Sequence, residues 1–281
     1  MKLVVETASK IGFCFGVKRC IEILEKTARQ HGGIESLGAP VHNQQVLDKL
    51  ARQGIKIAGS IDDIQGNIAG ISAHGVGPSV EAELAGRFSL VLNTTCPFVH
   101  RTQIAAKRLV KAGFFVIVYG EANHPEVKGV LGWAEGKGVA TLDHDYATKN
   151  KLPRRIGILS QTTSIQSNFT DFAKKIIDSA LVKDAEIRVI DTICHDMRER
   201  QQSSLDLAKK VQVMLVSGSR TSANSKHLAE LCGTVTETHL IESAADISPE
   251  WFNVKNHVGL TSGASTPDET IELVLARLKE L

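Results

Sequence analysis

Three cysteines occupy the same kind of place in the chain. Cys96 follows the apolar Leu90, Val91 and Leu92 and precedes Pro97, after which Ala105, Leu109 and Ala112 recur at helical spacing. Cys14 follows the strand-like Leu3–Val5 and opens a helix with Val17, Ile21, Leu24 and Ala28 on one face. Cys194 follows Ile187–Ile190 and opens a helix that runs to about Lys210. Each sulfur is thus expected at a strand's C-terminal end and a helix's N-terminal end, where the dipole and free N–H groups favour a thiolate. Such a thiolate is a metal ligand or a nucleophile. For any one of them a buried structural thiol is the alternative. The three recur at similar intervals, so three thiolates from three modules could meet at one point.

Zinc held by these cysteines and one His is conceivable, but structural zinc sites mostly use close pairs such as C-x-x-C, and the sequence has none. An iron–sulfur cube on three thiolates leaves its fourth iron open to bind a substrate oxygen as a Lewis acid and to pass electrons on. The turns that follow the other strands carry His42 and His74, then His124, Glu126 and Thr162, then Ser222, Asn224 and Ser265. Neutral donors at helix N-termini suit an anion such as a diphosphate, and Arg220 is the main cation beside these turns. Glu126 is the carboxylate of this set that adjoins a His, which suits a general acid relaying protons through Thr162 or His124. Taken singly, the His residues could be satisfied structural groups and the Ser and Asn residues simple N-caps. Cys20 shares a helix face with Val17, Ile21 and Leu24, and Cys232 precedes Gly233, so both read as core. His31, His100, His144, His195, His227, His239 and His257 receive no role.

The elements that must position these groups repeat as strand, polar turn, helix, the signature of an α/β fold with parallel sheets, in which ligands gather at the strands' C-terminal ends. Three similar α/β modules are expected, at residues 1–94, 95–192 and 193–281. Residues 137–155 read as the most loop-like stretch. A chain of 281 residues, 42% hydrophobic and 23% charged, is ordinary for a globular protein. The net charge of +2 gives no electrostatic case for nucleic acid. No apolar run reaches the ~18 residues of a membrane span, and no signal peptide is expected. Five cysteines without paired spacing argue for a reducing cytosol, hence a cytoplasmic protein.

The segments GFCFGV at Cys14, VHN at His42, SAHGV at His74, TCP at Cys96, NHPEVKG at His124 and Glu126, SQTTS at Thr162, DTIC at Cys194, NS at Asn224 and SGASTPD at Ser265 stand in the order of one family. The chain resembles the 4-hydroxy-3-methylbut-2-enyl diphosphate reductases, the LytB family, over essentially its whole length. The resemblance implies three α/β modules in a trefoil around one [4Fe–4S] cluster per chain, with Cys14, Cys96 and Cys194 as ligands and the fourth iron open. It implies that His42, His74, Ser222, Asn224 and Ser265 hold a diphosphate, with His124 near the same pocket, Thr162 beside the substrate hydroxyl and Glu126 as proton source. The implied reaction is the last step of the non-mevalonate isoprenoid pathway. It is a two-electron reductive dehydroxylation yielding isopentenyl and dimethylallyl diphosphates. Flavodoxin or ferredoxin would be the electron donor, since no nucleotide-binding fingerprint is present. Three places depart from the family pattern, one of them Thr94 before TCP, where an Ala is frequent and the change matters little. Ala223 stands where a second Ser is frequent, leaving its backbone N–H for the phosphate, and the turn before Cys14 is slightly long. A cluster-bearing sensor without turnover and a hydro-lyase without net electron transfer are the competing functions.

Overall fold

The structure, a computed structural model, describes residues 2–181 and 184–281. In chain order its first strands and helices are β1 (Val4–Thr7), α1 (Phe15–His31), β2 (Ile34–Leu37), α2 (Gln44–Arg52), β3 (Ile55–Ala58), β4 (Ile68–Ile71), α3 (Pro78–Arg87), β5 (Leu90–Asn93) and α4 (Pro97–Lys111). There follow β6 (Phe115–Tyr119), α5 (Pro125–Trp133), β7 (Gly138–Thr141), α6 (Tyr146–Lys149), β8 (Arg155–Ser160), α7 (Gln166–Leu181) and β9 (Glu186–Val189). The chain closes with α8 (His195–Ala208), β10 (Val213–Ser217), α9 (Ala223–Gly233), β11 (Glu237–Ile241), β12 (His257–Ser262) and α10 (Asp268–Glu280). Pro78, Pro97 and Pro125 each stand at the start of a helix, where a missing N–H costs nothing.

The strands form three four-stranded sheets, all of whose pairings are parallel, as the strand–turn–helix repeat predicts. Two compact units divide the chain. One comprises residues 1–18, 41–49 and 195–281, the other 19–40 and 50–194.

The first unit holds the sheet ordered β1-β12-β10-β11. Its interior strand β10, VMLVS, is buried at every residue, as a strand covered on both faces must be. Ser217 pairs in register with Ser262 and with Ile241, so the turns leaving β10 and β12 start side by side. Ile241, Val258, Leu260, Ile271, Val274 and Leu278 form the core against α10. The strand expected to open the first module therefore lies elsewhere: β1 pairs with β12, Val4 opposite His257 and Thr7 opposite Leu260.

The second unit holds two sheets, β3-β2-β4-β5 and β7-β6-β8-β9. In the first, Ile71 pairs with Asn93, so the turns toward His74 and Cys96 leave together. In the second, Tyr119 pairs with Ser160 and Ile158 with Val189, which aligns the turns toward His124, Thr162 and Cys194. Helix α4 lies close on β8 because Gly157 has no side chain; a Cβ there would fall 2.6 Å from Leu109 Cδ1. The stretch 137–155 is not a loop throughout: it carries the edge strand β7 and the short α6. Among the described residues no helix is long and apolar enough to cross a membrane.

Candidate functional site

In the second unit the strand ends deliver six of the expected residues into one connected chain. Cys96 is the N-cap of α4, and its N–H donates to the carbonyl of Ala73 at 3.0 Å, fixing the Cys96 turn to the turn that bears His74. The His74 and His124 rings meet edge to face, with centroids 5.4 Å apart. His124 is the N-cap of α5, and its Nδ1 accepts the backbone N–H of Glu126 at 3.2 Å. A neutral His124 therefore carries its proton on Nε2, which is then its ring donor. Glu126, two residues further on, is 2% exposed. Its Oε1 accepts the N–H of Thr162 at 2.7 Å and its Oε2 the Thr162 hydroxyl at 2.8 Å. The carbonyl of Thr162 in turn accepts the N–H of Cys194 at 3.0 Å.

Burial pushes the Glu126 carboxyl up from its ordinary value near 4.5 to about 7, against the two bonds from Thr162, which favour the charged form. No Lys or Arg side chain pairs with it among the described residues' ion pairs. A carboxyl balanced at neutral pH can hold a proton and release it, the property a general acid needs.

The first unit carries the other set. Ser222 is the N-cap of α9, its hydroxyl oxygen accepting the N–H of Ser225 at 3.4 Å. The capping role expected as an alternative for Ser222 is thus real, and its O–H still remains to donate. Ala223 and Asn224 form the first turn of α9 and are buried. Neither the amide nitrogen nor the amide oxygen of Asn224 has a hydrogen-bond partner, and the Ser225 hydroxyl lacks one as well. Such orphaned groups cost roughly 1–3 kcal/mol each, and a polar ligand at this helix N-terminus would satisfy them. Ser225 fits because its neighbours are glycines. A Cβ on Gly218 or Gly263 would come within 2.3 or 2.2 Å of its Oγ. Ser265 is buried in the turn after β12, next to Ala264, whose carbonyl accepts the N–H of Cys14 at 3.0 Å. His42 lies in the turn before α2, where the neighbouring Asn43 caps the helix by accepting the N–H of Val46.

The three cysteines of the opening argument behave alike. Cys14 directly precedes α1 and its Sγ accepts the N–H of Val17 at 3.5 Å; Cys96 caps α4; Cys194 directly precedes α8. None of the three forms a disulfide. Each of these places suits a ligand of a metal or an iron–sulfur cluster, since a helix N-terminus stabilises the thiolate such a group needs. Cys20 and Cys232 differ. Both are completely buried; burial raises the Cys20 thiol, which pairs with the Thr94 hydroxyl, and pushes Cys232 up to about 12. His195 is a surface residue paired with Glu199.

Several supporting residues escaped the sequence reading. Thr192 donates its hydroxyl to the Ser160 carbonyl at 2.6 Å and accepts the Ser160 N–H, clamping the turn before Cys194. Arg19 reaches the carbonyls of Thr94 and Thr95, holding the turn before Cys96. Arg200 is a fully buried cation in α8. Its signal was present: Met197, Arg200, Gln201, Ser204, Leu207 and Ala208 share one helical stripe.

Comparison with known proteins bears on the whole chain. The family described as LytB protein matches residues 5–279. A protein of Dehalococcoides mccartyi strain CBDB1, named 4-hydroxy-3-methylbut-2-enyl diphosphate reductase, is 55% identical over 278 residues, covering 99% of this chain and 98% of the relative. A Geobacter metallireducens protein of the same name is 39% identical over 276 residues, 98% of this chain and 96% of that one. A solved structure described as (E)-4-hydroxy-3-methyl-but-2-enyl diphosphate reductase, the terminal enzyme of the non-mevalonate pathway, is 33% identical with a TM-score of 0.71, covering 99% of this chain and all of the other. The fold is also that of the E-1-hydroxy-2-methyl-but-2-enyl-4-diphosphate reductase from Plasmodium falciparum, at a TM-score of 0.92 and 24% identity over 98% of this chain and 88% of that one. Sheet topology, turn chemistry and similarity along the full length converge: the chain belongs to the LytB family.

Proposed function

We infer that this protein is the reductase of 4-hydroxy-3-methylbut-2-enyl diphosphate, acting at the terminal step of the non-mevalonate pathway. The observation that carries the reading is the buried Glu126, held at both oxygens by Thr162 and balanced near neutral pH, in a chain alike to the reductases over its whole length. Cys14, Cys96 and Cys194 would hold a [4Fe–4S] cluster with one iron open, and their places at helix N-termini suit that role. When bound, such a cluster supplies electrons and a Lewis acid for the substrate hydroxyl.

The chain's own residues do the rest. Asn224, the Ser222 hydroxyl, the Ala223 N–H and Ser265 bind the diphosphate, with His42, His74 and the Nε2–H of His124 as further donors. Thr162 orients the Glu126 carboxyl and offers its hydroxyl beside the substrate alcohol. Glu126 delivers a proton from its neutral form. Two electrons and two protons convert the allylic alcohol to the hydrocarbon, with the hydroxyl oxygen leaving as water, to give isopentenyl and dimethylallyl diphosphates. A one-electron carrier of the flavodoxin or ferredoxin class delivers the electrons. Five cysteines outside any disulfide and a cluster with an open iron fit the reducing cytoplasm.

The test is anaerobic turnover of 4-hydroxy-3-methylbut-2-enyl diphosphate with a strong one-electron reductant, on protein of assayed iron and sulfide content. Formation of both five-carbon diphosphates, dependent on the reductant, is expected. A full cluster without turnover favours the sensor, and conversion without reductant favours the hydro-lyase.

A further inference from the structure

The largest fully buried side chain of the protein is a cation. Arg200 is 1% exposed, and the Asp196 carboxylate stands 3.7 Å from its Nη2. Both terminal nitrogens of the guanidinium donate to backbone carbonyls. Nη2 donates to Gly12 at 2.9 Å, and Nη1 to Ser262 at 3.0 Å and to Lys10 at 3.4 Å. Burying a charge is expensive unless it is fully hydrogen-bonded, so the segment that supplies these carbonyls is held firmly where the fork needs it. Arg suits this task, with five donors in a rigid plane.

That segment is the turn that ends at Cys14. Gly12 adopts a left-handed φ of +80° and donates its N–H to the Ser262 hydroxyl at 2.8 Å. Two neighbours of Arg200 on α8 grip the same turn: Glu199 pairs with Lys10 at 2.6 Å, and the Ser203 hydroxyl accepts the Lys10 N–H at 3.3 Å. Residues 8–13 form no regular element, so contacts such as these set the shape of the turn. The somewhat long approach to Cys14 is thus given a fixed shape from outside.

We propose that Arg200 is a positioning residue that sets the direction of the Cys14 thiolate through the carbonyls of Lys10 and Gly12. The proposal rests on the reading of Cys14 as a cluster ligand. Partners of this kind behind a ligand commonly matter by about 10-fold or more in metal retention.

The experiment uses anaerobic holoprotein: the parent, Arg200→Met, Arg200→Lys and Cys14→Ser. Iron loss to excess chelator is timed, and cysteines are alkylated as they become free and ordered by mass spectrometry. We expect Arg200→Met to lose iron about tenfold faster, with Cys14 labelled before Cys96 and Cys194, and Arg200→Lys to recover part of the parent's rate. Iron loss from Arg200→Met at the parent rate overturns the proposal. So does faster loss with all three cysteines appearing together, the pattern of general loosening. Cys14→Ser separates the two layers. If it keeps the parent's iron, the ligand reading fails and takes the proposal with it; if it loses iron while Arg200→Met matches the parent, only the proposal fails. Should Arg200→Met not fold, Arg200→Gln is judged by the same two readouts.

Discussion

Thr162 holds Glu126 at both ends of its carboxyl, the backbone N–H at 2.7 Å from one oxygen and the hydroxyl at 2.8 Å from the other. One residue therefore fixes the acid's plane, and through its carbonyl the same residue is tied to the amide of Cys194. Thr162→Ala removes one of the two bonds that work against burial, so Glu126 should keep its proton to higher pH. We expect turnover to fall by about 10-fold or more, as for loss of a general-acid partner, and the alkaline limb of kcat/KM to move upward. Thr162→Ser should return both to the parent's values. An alkaline limb that stays in place in Thr162→Ala would show that the hydroxyl does not act on Glu126.

Glu126→Gln should change how stability depends on pH. The folded protein holds this proton up to about 7, whereas the unfolded chain releases it near 4.5. Its contribution is full below about 4.5 and is lost as pH rises through about 7. The unfolding free energy of Glu126→Gln relative to the parent should climb over that window by on the order of 3 kcal/mol, and be flat outside it. Denaturant titrations of both proteins at stepped pH measure the difference. A difference independent of pH would mean that Glu126 ionises normally.

Asn224 is expected to trade stability for binding. Its amide has no partner in the ligand-free protein, so Asn224→Ala should leave the melting temperature unchanged or raise it. The same variant should weaken binding of inorganic diphosphate by about 10-fold, the loss of a hydrogen bond to a charged group. Calorimetric titration and thermal unfolding report the two effects. Ala223→Ser, one residue earlier, should tighten diphosphate by a few-fold if its hydroxyl reaches the anion.

The five cysteines should fall into two classes by iron content. Cys14→Ser, Cys96→Ser and Cys194→Ser should each reconstitute with markedly less iron. Cys232→Ala, which alters a buried thiol raised to about 12, should retain it. Cys20→Ala should also retain iron, at some cost in stability from the lost contact with Thr94. Iron and sulfide assays after anaerobic reconstitution decide. A Cys232→Ala protein without iron would break the assignment.

The sequence made the strand ends and helix starts legible because both carry strong local chemistry. FVIVY of β6 has the composition of a doubly buried strand, and Pro97 and Pro125 mark helix starts without tertiary help. Cys96, His124 and Cys194 stand out in the sequence because each sits at such a junction. The edge strand β7, GVAT, lies in a charged stretch and has no apolar run to announce it. The pairing of β1 with β12 was hidden because neighbours in a sheet need not be neighbours in the chain. Arg200 was missed for a different reason. Helix α8 reads HDMRERQQSSLDLA, and the middle of its inner face, Arg200, Gln201 and Ser204, is polar, with Arg200 packed on backbone turns instead of on aliphatic side chains. A search for apolar stripes does not look there.

The pairing of β1 with β12 also sets a timetable for biosynthesis. Gly12 is made 250 residues before the Ser262 hydroxyl that receives its N–H, and Cys14 as far ahead of the Ala264 carbonyl that receives its own amide. Contacts across so long a span of sequence form late. The nascent polypeptide therefore carries the Cys14 thiol without these contacts while the span up to β12 is made. Any metal centre that uses Cys14 in this geometry waits for that strand.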